Sequence, residues 1–155
     1  MPVLVVGADT PLGRSVIAAL GTRDGEIRAF VSDPAEAARL KAVQAKVAVG
    51  DVSDASHIAA AGLNCFSVVF LTEAAHDDRE RSFADSPRAV LEEWREAITG
   101  SGATRTIWVE TELTRGSGNS ARGLTAETAV VMGAGRPVED VAAEVARLDD
   151  AATLA

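Results

Sequence analysis

The residues best suited to ligand chemistry lie in a glycine turn near the start of the chain. The segment GADTPLG runs from Gly7 to Gly13, directly after the apolar run VLVV and before a stretch of helical periodicity. In this position the first glycine permits a tight turn, and the last glycine lets a helix pack closely against a strand. Free backbone amides at the start of the helix point toward an anion. The turn therefore predicts a diphosphate ligand, with a tight structural turn as the alternative.

Two further positions near this turn leave alternatives open. Thr10 stands where a middle glycine normally lets a pyrophosphate approach the backbone. Its hydroxyl either donates to a phosphate or marks a site that has lost its ligand. Asp33 follows Gly13 by twenty residues, where an acidic side chain can accept hydrogen bonds from an adenosine ribose. In the sequence Ser32-Asp33-Pro34 the same carboxylate also suits a helix N-cap, and both roles are compatible.

A second polar group follows the fourth predicted strand, at the edge where α/β sheets hold their ligands. Glu73 and His76 are weak candidates for acid/base catalysis there, because a histidine titrates near neutral pH. Asp77 and Asp78 add carboxylates that suit a divalent cation, but no second group has matching spacing. We therefore predict no metal site and favour a solvated, charged loop.

Apolar runs and helical periodicity alternate along the whole chain. The predicted strands are residues 3–7, 27–32, 46–51, 66–72, 106–110 and 128–132. The predicted helices are residues 11–20, 34–43, a short one from 53 or 54, 87–98 and a last one after Pro137. Because crossover helices must cover both faces of parallel strands, the pattern predicts an α/β fold with three layers. We expect a doubly wound parallel sheet of about six strands, a Rossmann-like fold, in a single domain over residues 1–155.

Two segments between these elements suggest interactions. Residues 114–123 are rich in glycine and serine and have no apolar pattern, which predicts a mobile loop that could act as a lid. The helix over 87–98 carries Val90, Trp94 and Ile98 at helical spacing. This stripe faces either the sheet or a partner, so a homodimer is one interpretation.

Composition limits the classes of function. The chain is 47% apolar and 25% charged, with a net charge of −8, which favours a folded globular domain and disfavours nucleic acid as the main partner. No apolar run is long enough to cross a membrane as a helix. The single cysteine, Cys65, and the lack of a recognisable leader favour a cytoplasmic location.

The sequence resembles the atypical short-chain dehydrogenase/reductases, particularly their NmrA-like, NAD(P)-binding branch. The matching motifs are VLVVGADTPLGRSV, IRAFVSDP, VAVGDVSD and SVVFLT, which cover residues 3–72 well and the remainder poorly. The resemblance implies NAD or NADP as the cofactor. It also implies roles for individual residues: Gly7, Thr10, Leu12 and Gly13 at the diphosphate, Ser32 and Asp33 at the adenosine ribose, Asp51 and Val52 at the adenine, and Thr72 and Glu73 at the nicotinamide ribose.

Two more residues belong to the predicted cofactor site. Asp9 lies inside the glycine turn, and Arg14 follows it. Members of the family that prefer NADP usually carry an arginine where this chain has Ser32, because a guanidinium pairs well with a phosphate. Arg14 is a candidate substitute for that arginine, so the choice between NAD and NADP stays open.

The resemblance does not extend to the catalytic residues of the family. Active short-chain dehydrogenases use a Tyr-x-x-x-Lys pair, in which the lysine lowers the pKa of the tyrosine. This chain has no tyrosine, and its only lysines, Lys41 and Lys46, lie between the second and third strands. We therefore predict a dinucleotide-binding sensor, regulator or degenerate relative, whose protein partner the sequence does not identify. The alternatives are an oxidoreductase or epimerase-like enzyme with other acid/base residues, and a structural dimerisation module without a ligand.

Overall fold

The computed structural model describes residues 1–154, in which parallel strands alternate with helices along the chain. The strands are β1 (Val3–Val6), β2 (Ile27–Val31), β3 (Lys46–Val49), β4 (Ser67–Leu71), β5 (Arg105–Glu110) and β6 (Glu127–Met132). The helices are α1 (Pro11–Leu20), α2 (Pro34–Ala42), α3 (Ala55–Ala61), α4 (Pro87–Ser101), α5 (Ser117–Ser120) and α6 (Val138–Asp150). Short 3-10 turns follow β4 (Thr72–Ala75) and β5 (Glu112–Thr114).

The strands form one parallel sheet with the order β3-β2-β1-β4-β5-β6. β1 is central, and Val3 pairs with Ile27 on one side and with Ser67 on the other. All four residues of β1 are buried, because helices cover both faces of a doubly wound sheet. The strand order reverses between β1 and β4, and ligands of such sheets bind outside the carboxyl ends of the strands at this point. The predicted α/β architecture is therefore confirmed.

Each face of the sheet has its own apolar core. On one face, α1, α2 and α6 pack on the strands through residues such as Val16, Leu40 and Val145. On the other face, α3 and α4 pack on the strands through Ile58 and Trp94. No helix within residues 1–154 is long and apolar enough to cross a membrane.

The apolar stripe of α4 faces the sheet. Val90 and Trp94 are fully buried, and the Trp94 ring stacks on Phe70 with 5.3 Å between the ring centres. The Trp94 Nε1 donates a hydrogen bond of 2.7 Å to the carbonyl oxygen of Val52. The stripe is therefore used inside the monomer, and a homodimer would need another surface.

Part of the segment 114–123, which the sequence predicts as a mobile loop, is helical. This segment contains α5, and Ala121 is fully buried. The carboxylate of Glu110 accepts hydrogen bonds from the amides of Gly116 (3.1 Å) and Gly118 (2.8 Å). Gly118 lies so close to the sheet that an added Cβ would come within 2.5 Å of a Val130 methyl carbon. Glycine is thus needed here for close packing, so the composition that indicated a lid has another cause.

Candidate functional site

The glycine turn between β1 and α1 lies at the carboxyl edge of the central strand. Gly7 has a φ of +84°, and an added Cβ there would lie 2.8 Å from the Ala74 Cβ. A Cβ on Gly13 would lie 2.3 Å from the Ala8 carbonyl oxygen. Both glycines are therefore required by backbone geometry, the first by its left-handed conformation and the second by the close approach of helix and strand.

Thr10 closes this turn. Its hydroxyl oxygen accepts a hydrogen bond of 2.9 Å from the Gly13 amide, which makes Thr10 the N-cap of α1. Pro11 has no amide hydrogen, so it offers no donor to an anion. Within residues 1–154, the amides of Asp9, Thr10 and Leu12 donate to no protein acceptor. The turn therefore keeps three amide donors for an anionic ligand and uses the threonine hydroxyl as a cap.

The carboxylate of Asp9 reaches from the glycine turn to the carboxyl end of β2. Its Oδ2 accepts hydrogen bonds from the amides of Ser32 (3.0 Å) and Asp33 (3.1 Å). The Asp9 side chain is only 3% exposed. Asp33 caps α2 by accepting a hydrogen bond of 2.9 Å from the Ala35 amide, and the residue remains exposed. The end of β2 thus presents two carboxylates at the predicted adenosine ribose site.

A charged segment covers this end of the site. We call residues 77–83 the covering segment. Its Arg79 forms ion pairs with both Asp9 and Asp77. Burial lowers the pKa of Arg79, but the hydrogen bonds and charges of the two carboxylates outweigh burial and raise that pKa above its ordinary value. The guanidinium is therefore held charged between two acids.

Asp51 attaches the same segment to the end of β3. Its carboxylate accepts hydrogen bonds from the Ser53 amide (2.7 Å), the Ser53 hydroxyl (2.5 Å) and the Ser82 amide (2.6 Å). The Ser53 hydroxyl oxygen in turn accepts a hydrogen bond of 3.0 Å from the Phe83 amide. Partial burial raises the pKa of Asp51, but these hydrogen bonds outweigh it, and the pKa lies below its ordinary value. The covering segment is therefore attached to Asp51, at the predicted adenine site, and to Asp9, which holds the amides of Ser32 and Asp33 at the predicted ribose site.

Other predicted cofactor residues have partners within the protein. The fully buried Thr72 bridges β4 and β5, because its hydroxyl lies 2.6 Å from both the Val109 carbonyl oxygen and the Thr114 hydroxyl. Arg14 pairs with Glu36 at 3.2 Å. The structure places Arg14 beside the glycine turn, but its charge is shared with that carboxylate.

Glu73 and His76 lie at the nicotinamide end of the predicted site. Glu73 lines a cavity of about 220 Å³ together with Leu12 and Thr111. One of its carboxylate oxygens is buried and has no hydrogen-bond partner within the part of the chain that the structure describes. The His76 Nε2 lies 3.1 Å from the Thr111 hydroxyl. Both candidates therefore lie near Thr111, directly after β5.

Among the described residues, 1–154, no group of three or more histidine, cysteine or acidic side chains is arranged to hold a metal ion. Cys65 is buried, and this burial raises the pKa of its thiol. A raised pKa disfavours the reactive thiolate. Cys65 is therefore a small apolar residue of the core.

The sequence predicts Asp77 and Asp78 at this edge of the sheet, but it does not predict that Arg79 and Ser82 attach the covering segment across the site. Arg79 lies in a run of alternating acids and bases, a composition typical of a solvated loop. Its partner Asp9 is 70 residues away along the chain, and no local pattern connects the two. The only available signal was the position of the run, directly after the strand at which the sheet order reverses.

Comparison with known proteins agrees with this geometry. A family model described as NAD(P)H-binding matches residues 7–133. No curated protein matches the sequence significantly. A protein from Bacillus halodurans, assigned as an NAD-dependent epimerase/dehydratase, has a TM-score of 0.73 and 19% identity, covering 97% of this chain and 88% of its own.

Two further solved structures share the fold. Triphenylmethane reductase from Citrobacter sp. has a TM-score of 0.60 and 17% identity, covering 97% of this chain and 46% of its own. An NADPH-dependent quinone oxidoreductase from Escherichia coli has a TM-score of 0.52 and 21% identity, covering 70% of this chain and 34% of its own. The chain therefore spans less than half the length of these two reductases.

The matched residues include the glycine turn, the end of β2 and the covering segment, and they extend through β6. The turn geometry fits a diphosphate, because its two glycines are sterically required and three of its amides are free to donate. The chain belongs to the NAD(P)H-binding family and is an NAD(P)-binding domain with a Rossmann-like fold.

Proposed function

We propose that this protein is a dinucleotide-binding sensor or regulator, a catalytically degenerate relative of the atypical, NmrA-like short-chain dehydrogenases. The absence of tyrosine from the chain carries this proposal. Without a tyrosine, the family's usual proton transfer to the substrate has no donor. A bound NAD(P) would supply hydride chemistry, but the chain lacks the pair that normally directs it.

The residues of the site have separate tasks in this proposal. The amides of Thr10 and Leu12 would hold the diphosphate, and Asp9 and Asp33 would accept hydrogen bonds from the adenosine ribose. Leu12 also borders the cavity at the nicotinamide end. Asp51 and the Val52 backbone would border the adenine. The remaining predicted residues Gly7, Gly13, Arg14, Ser32 and Thr72 would shape this edge without needing to carry chemistry.

The covering segment would convert binding into a signal. It is attached to Asp9, which accepts from the amides of Ser32 and Asp33 at the predicted ribose site, and to Asp51 at the predicted adenine site. An adenosine entering there would compete for both carboxylates and release Arg79 and Ser82. A ligand shifts an equilibrium by its differential affinity for two states. The attached and released states of the covering segment would therefore present different surfaces to a protein partner.

Calorimetric titration with NAD, NADH, NADP and NADPH tests the binding step. We expect at least one nucleotide to bind below millimolar concentration and to speed hydrogen exchange at the Ser82 and Phe83 amides. Gly7→Ala should abolish binding, because its Cβ would press on Ala74. Gly123→Ala is the matched control, since φ is +89° there and nothing lies within 4 Å of the added Cβ. No binding of any nucleotide at millimolar concentration would refute the proposal.

A second function is favoured by one observation at Glu73. Its buried, unpartnered carboxylate oxygen and the 220 Å³ cavity suit a small substrate beside the nicotinamide. The protein would then be an oxidoreductase or epimerase-like enzyme with Glu73 or His76 as the acid/base group. His76→Ala should abolish turnover of an identified substrate and leave nucleotide affinity unchanged. Unchanged turnover would reject that role.

The structural alternative, a dimerisation module without ligand, predicts that no nucleotide binds while a dimer persists. Sedimentation velocity measures directly whether a dimer persists. Because the α4 stripe is buried in the monomer, a dimer would have to use another surface. A monomer that binds nucleotide would exclude this alternative.

A further inference from the structure

The carboxylate of Asp9 occupies an anion-binding position of its own protein. Two adjacent backbone amides, those of Ser32 and Asp33, converge on its Oδ2. Adjacent amides of this kind bind anions, including the oxygens of phosphate groups. In folds of this class, the end of β2 meets either the free 2′-hydroxyl of NAD or the 2′-phosphate of NADP. Here an internal carboxylate already holds these donors.

From this geometry we infer that Asp9 is the residue that makes this protein select NAD(H) over NADP(H). The inference rests on the proposed binding of a dinucleotide at the glycine turn. A ribose diol has hydroxyl groups that can donate to the carboxylates of Asp9 and Asp33. A 2′-phosphate has only acceptor oxygens and about two negative charges, so it would meet like charge and would have to displace Asp9 from its amides.

The cations at this corner do not reverse the preference. Arg79 is already held by two carboxylates, Asp9 and Asp77, and its side chain is 12% exposed. Arg14 pairs with Glu36. An adenosine that displaces Arg79 from Asp9 leaves it paired with Asp77, so a phosphate would still have to compete with a carboxylate for either guanidinium. The two arginines have three carboxylate partners, Asp9, Asp77 and Glu36, so these side chains together carry a net negative charge.

The experiment compares the dissociation constants of NAD and NADP for the wild type and two variants, by calorimetric titration. We expect the wild type to bind NAD at least about tenfold more tightly than NADP, which is the scale of like-charge repulsion at a partly screened site. Asp9→Asn removes the charge and frees one bond of Arg79, so the NAD preference should fall by about tenfold.

Asp77→Asn is the matched control. It also removes one carboxylate from Arg79, but Asp77 does not accept from the Ser32 or Asp33 amides. We expect it to lower the NAD preference by a smaller factor than Asp9→Asn does, because it also frees one bond of Arg79 but leaves the Asp9 carboxylate on the Ser32 and Asp33 amides. The ratio of the NAD and NADP dissociation constants is also measured on the wild type alone, so the NAD preference can be tested even if Asp9→Asn does not fold.

The measured affinities distinguish a failure of the proposed function from a failure of this inference. Binding of neither nucleotide by the wild type would overturn the proposed function together with the inference. Binding of both with equal affinity, or a preference for NADP, would overturn the inference alone. A preference for NAD that Asp9→Asn leaves unchanged would overturn the role of Asp9.

Discussion

Two segments that the sequence marks as loops are held in opposite ways. The glycine-rich segment 114–123 packs on β5 and β6, where Ala121 is fully buried and the Glu110 carboxylate caps two backbone amides. The covering segment packs over the carboxyl edge of the sheet through Arg79 and Ser82, which meet Asp9 and Asp51. The first contacts lie inside the fold, and the second lie where a ligand is expected.

This difference separates a structural loop from an exchangeable one. A segment held by apolar burial and buried amides opens only when the surrounding core opens. A segment held by carboxylates at a ligand site can be displaced by a ligand that makes equivalent contacts there. The glycine-rich composition that suggested a lid therefore belongs to the segment packed into the core. The charged composition that suggested a solvated loop belongs to the segment that we propose a ligand displaces.

The largest effect is expected at Glu110. Glu110→Ala would leave two amides without an acceptor in a buried setting, and we expect it to lower the free energy of unfolding by about 3 kcal/mol. Urea denaturation measures this change. Glu112→Ala is the control, because Glu112 is exposed and pairs only with Arg115, and it should cost less than about 0.5 kcal/mol. Equal losses in both variants would show that the segment is not held through Glu110.

A smaller effect is expected at Arg79. Arg79→Gln would leave the buried Asp9 carboxylate with its two amide donors but no cation, at a cost of about 2 kcal/mol. Hydrogen exchange at Ser82 should become faster, while exchange at Gly118 should not change. Arg81→Gln removes the same charge from a residue that bonds only to carbonyl oxygens. Equal changes in stability and in Ser82 exchange for Arg81→Gln and Arg79→Gln would show that the Arg79–Asp9 ion pair does not hold the covering segment.

The smallest effect is expected at Asp51. Its pKa in the folded protein lies below the ordinary value of 3.8. The contribution of the Asp51 carboxylate to the free energy of unfolding is therefore complete above that pH. It is lost as the pH falls through the lower pKa of the folded protein. We expect Asp51→Asn to cost about 1 kcal/mol at neutral pH, with the difference from wild type shrinking below about pH 4.

Denaturation at several pH values measures this trend. Asp78→Asn, a change at an exposed neighbouring acid, should leave the free energy of unfolding unchanged across the same range. A cost of Asp51→Asn that stays constant down to pH 3, or one that grows on acidification, would contradict the role assigned to its carboxylate.

Much of the fold was predictable because its signals are local. The β-branched run before Gly7 predicts a buried strand, and Pro11 behind Thr10 predicts the start of a helix; the structure has both. The helix over 87–98 extends to Ser101, and Gly102 with a φ of +72° ends it. The glycine turn was located for the same reason, since strand, turn and helix follow one another in the sequence.

The site was less predictable where partners are distant. The contact of Asp9 with Arg79, and that of Asp51 with Ser82, depend on which strands become neighbours. The family resemblance implies a place for Thr72 at the nicotinamide ribose, and in the fold its hydroxyl bonds to Val109 and Thr114. Sequence position located the edge of the sheet and did not reveal which polar groups remain free.

The sequence by itself determined the alternation of strands and helices, the glycine turn and the absence of a tyrosine for the family's usual chemistry. Periodicity, turn geometry and composition act over a few residues or over the whole chain, so they need no coordinates. Only the tertiary structure decided that Asp9 holds the amides at the end of β2 and that the covering segment lies across the site. Hydrogen bonds and ion pairs depend on distances between atoms, and residues far apart in the chain acquire those distances only when the sheet assembles.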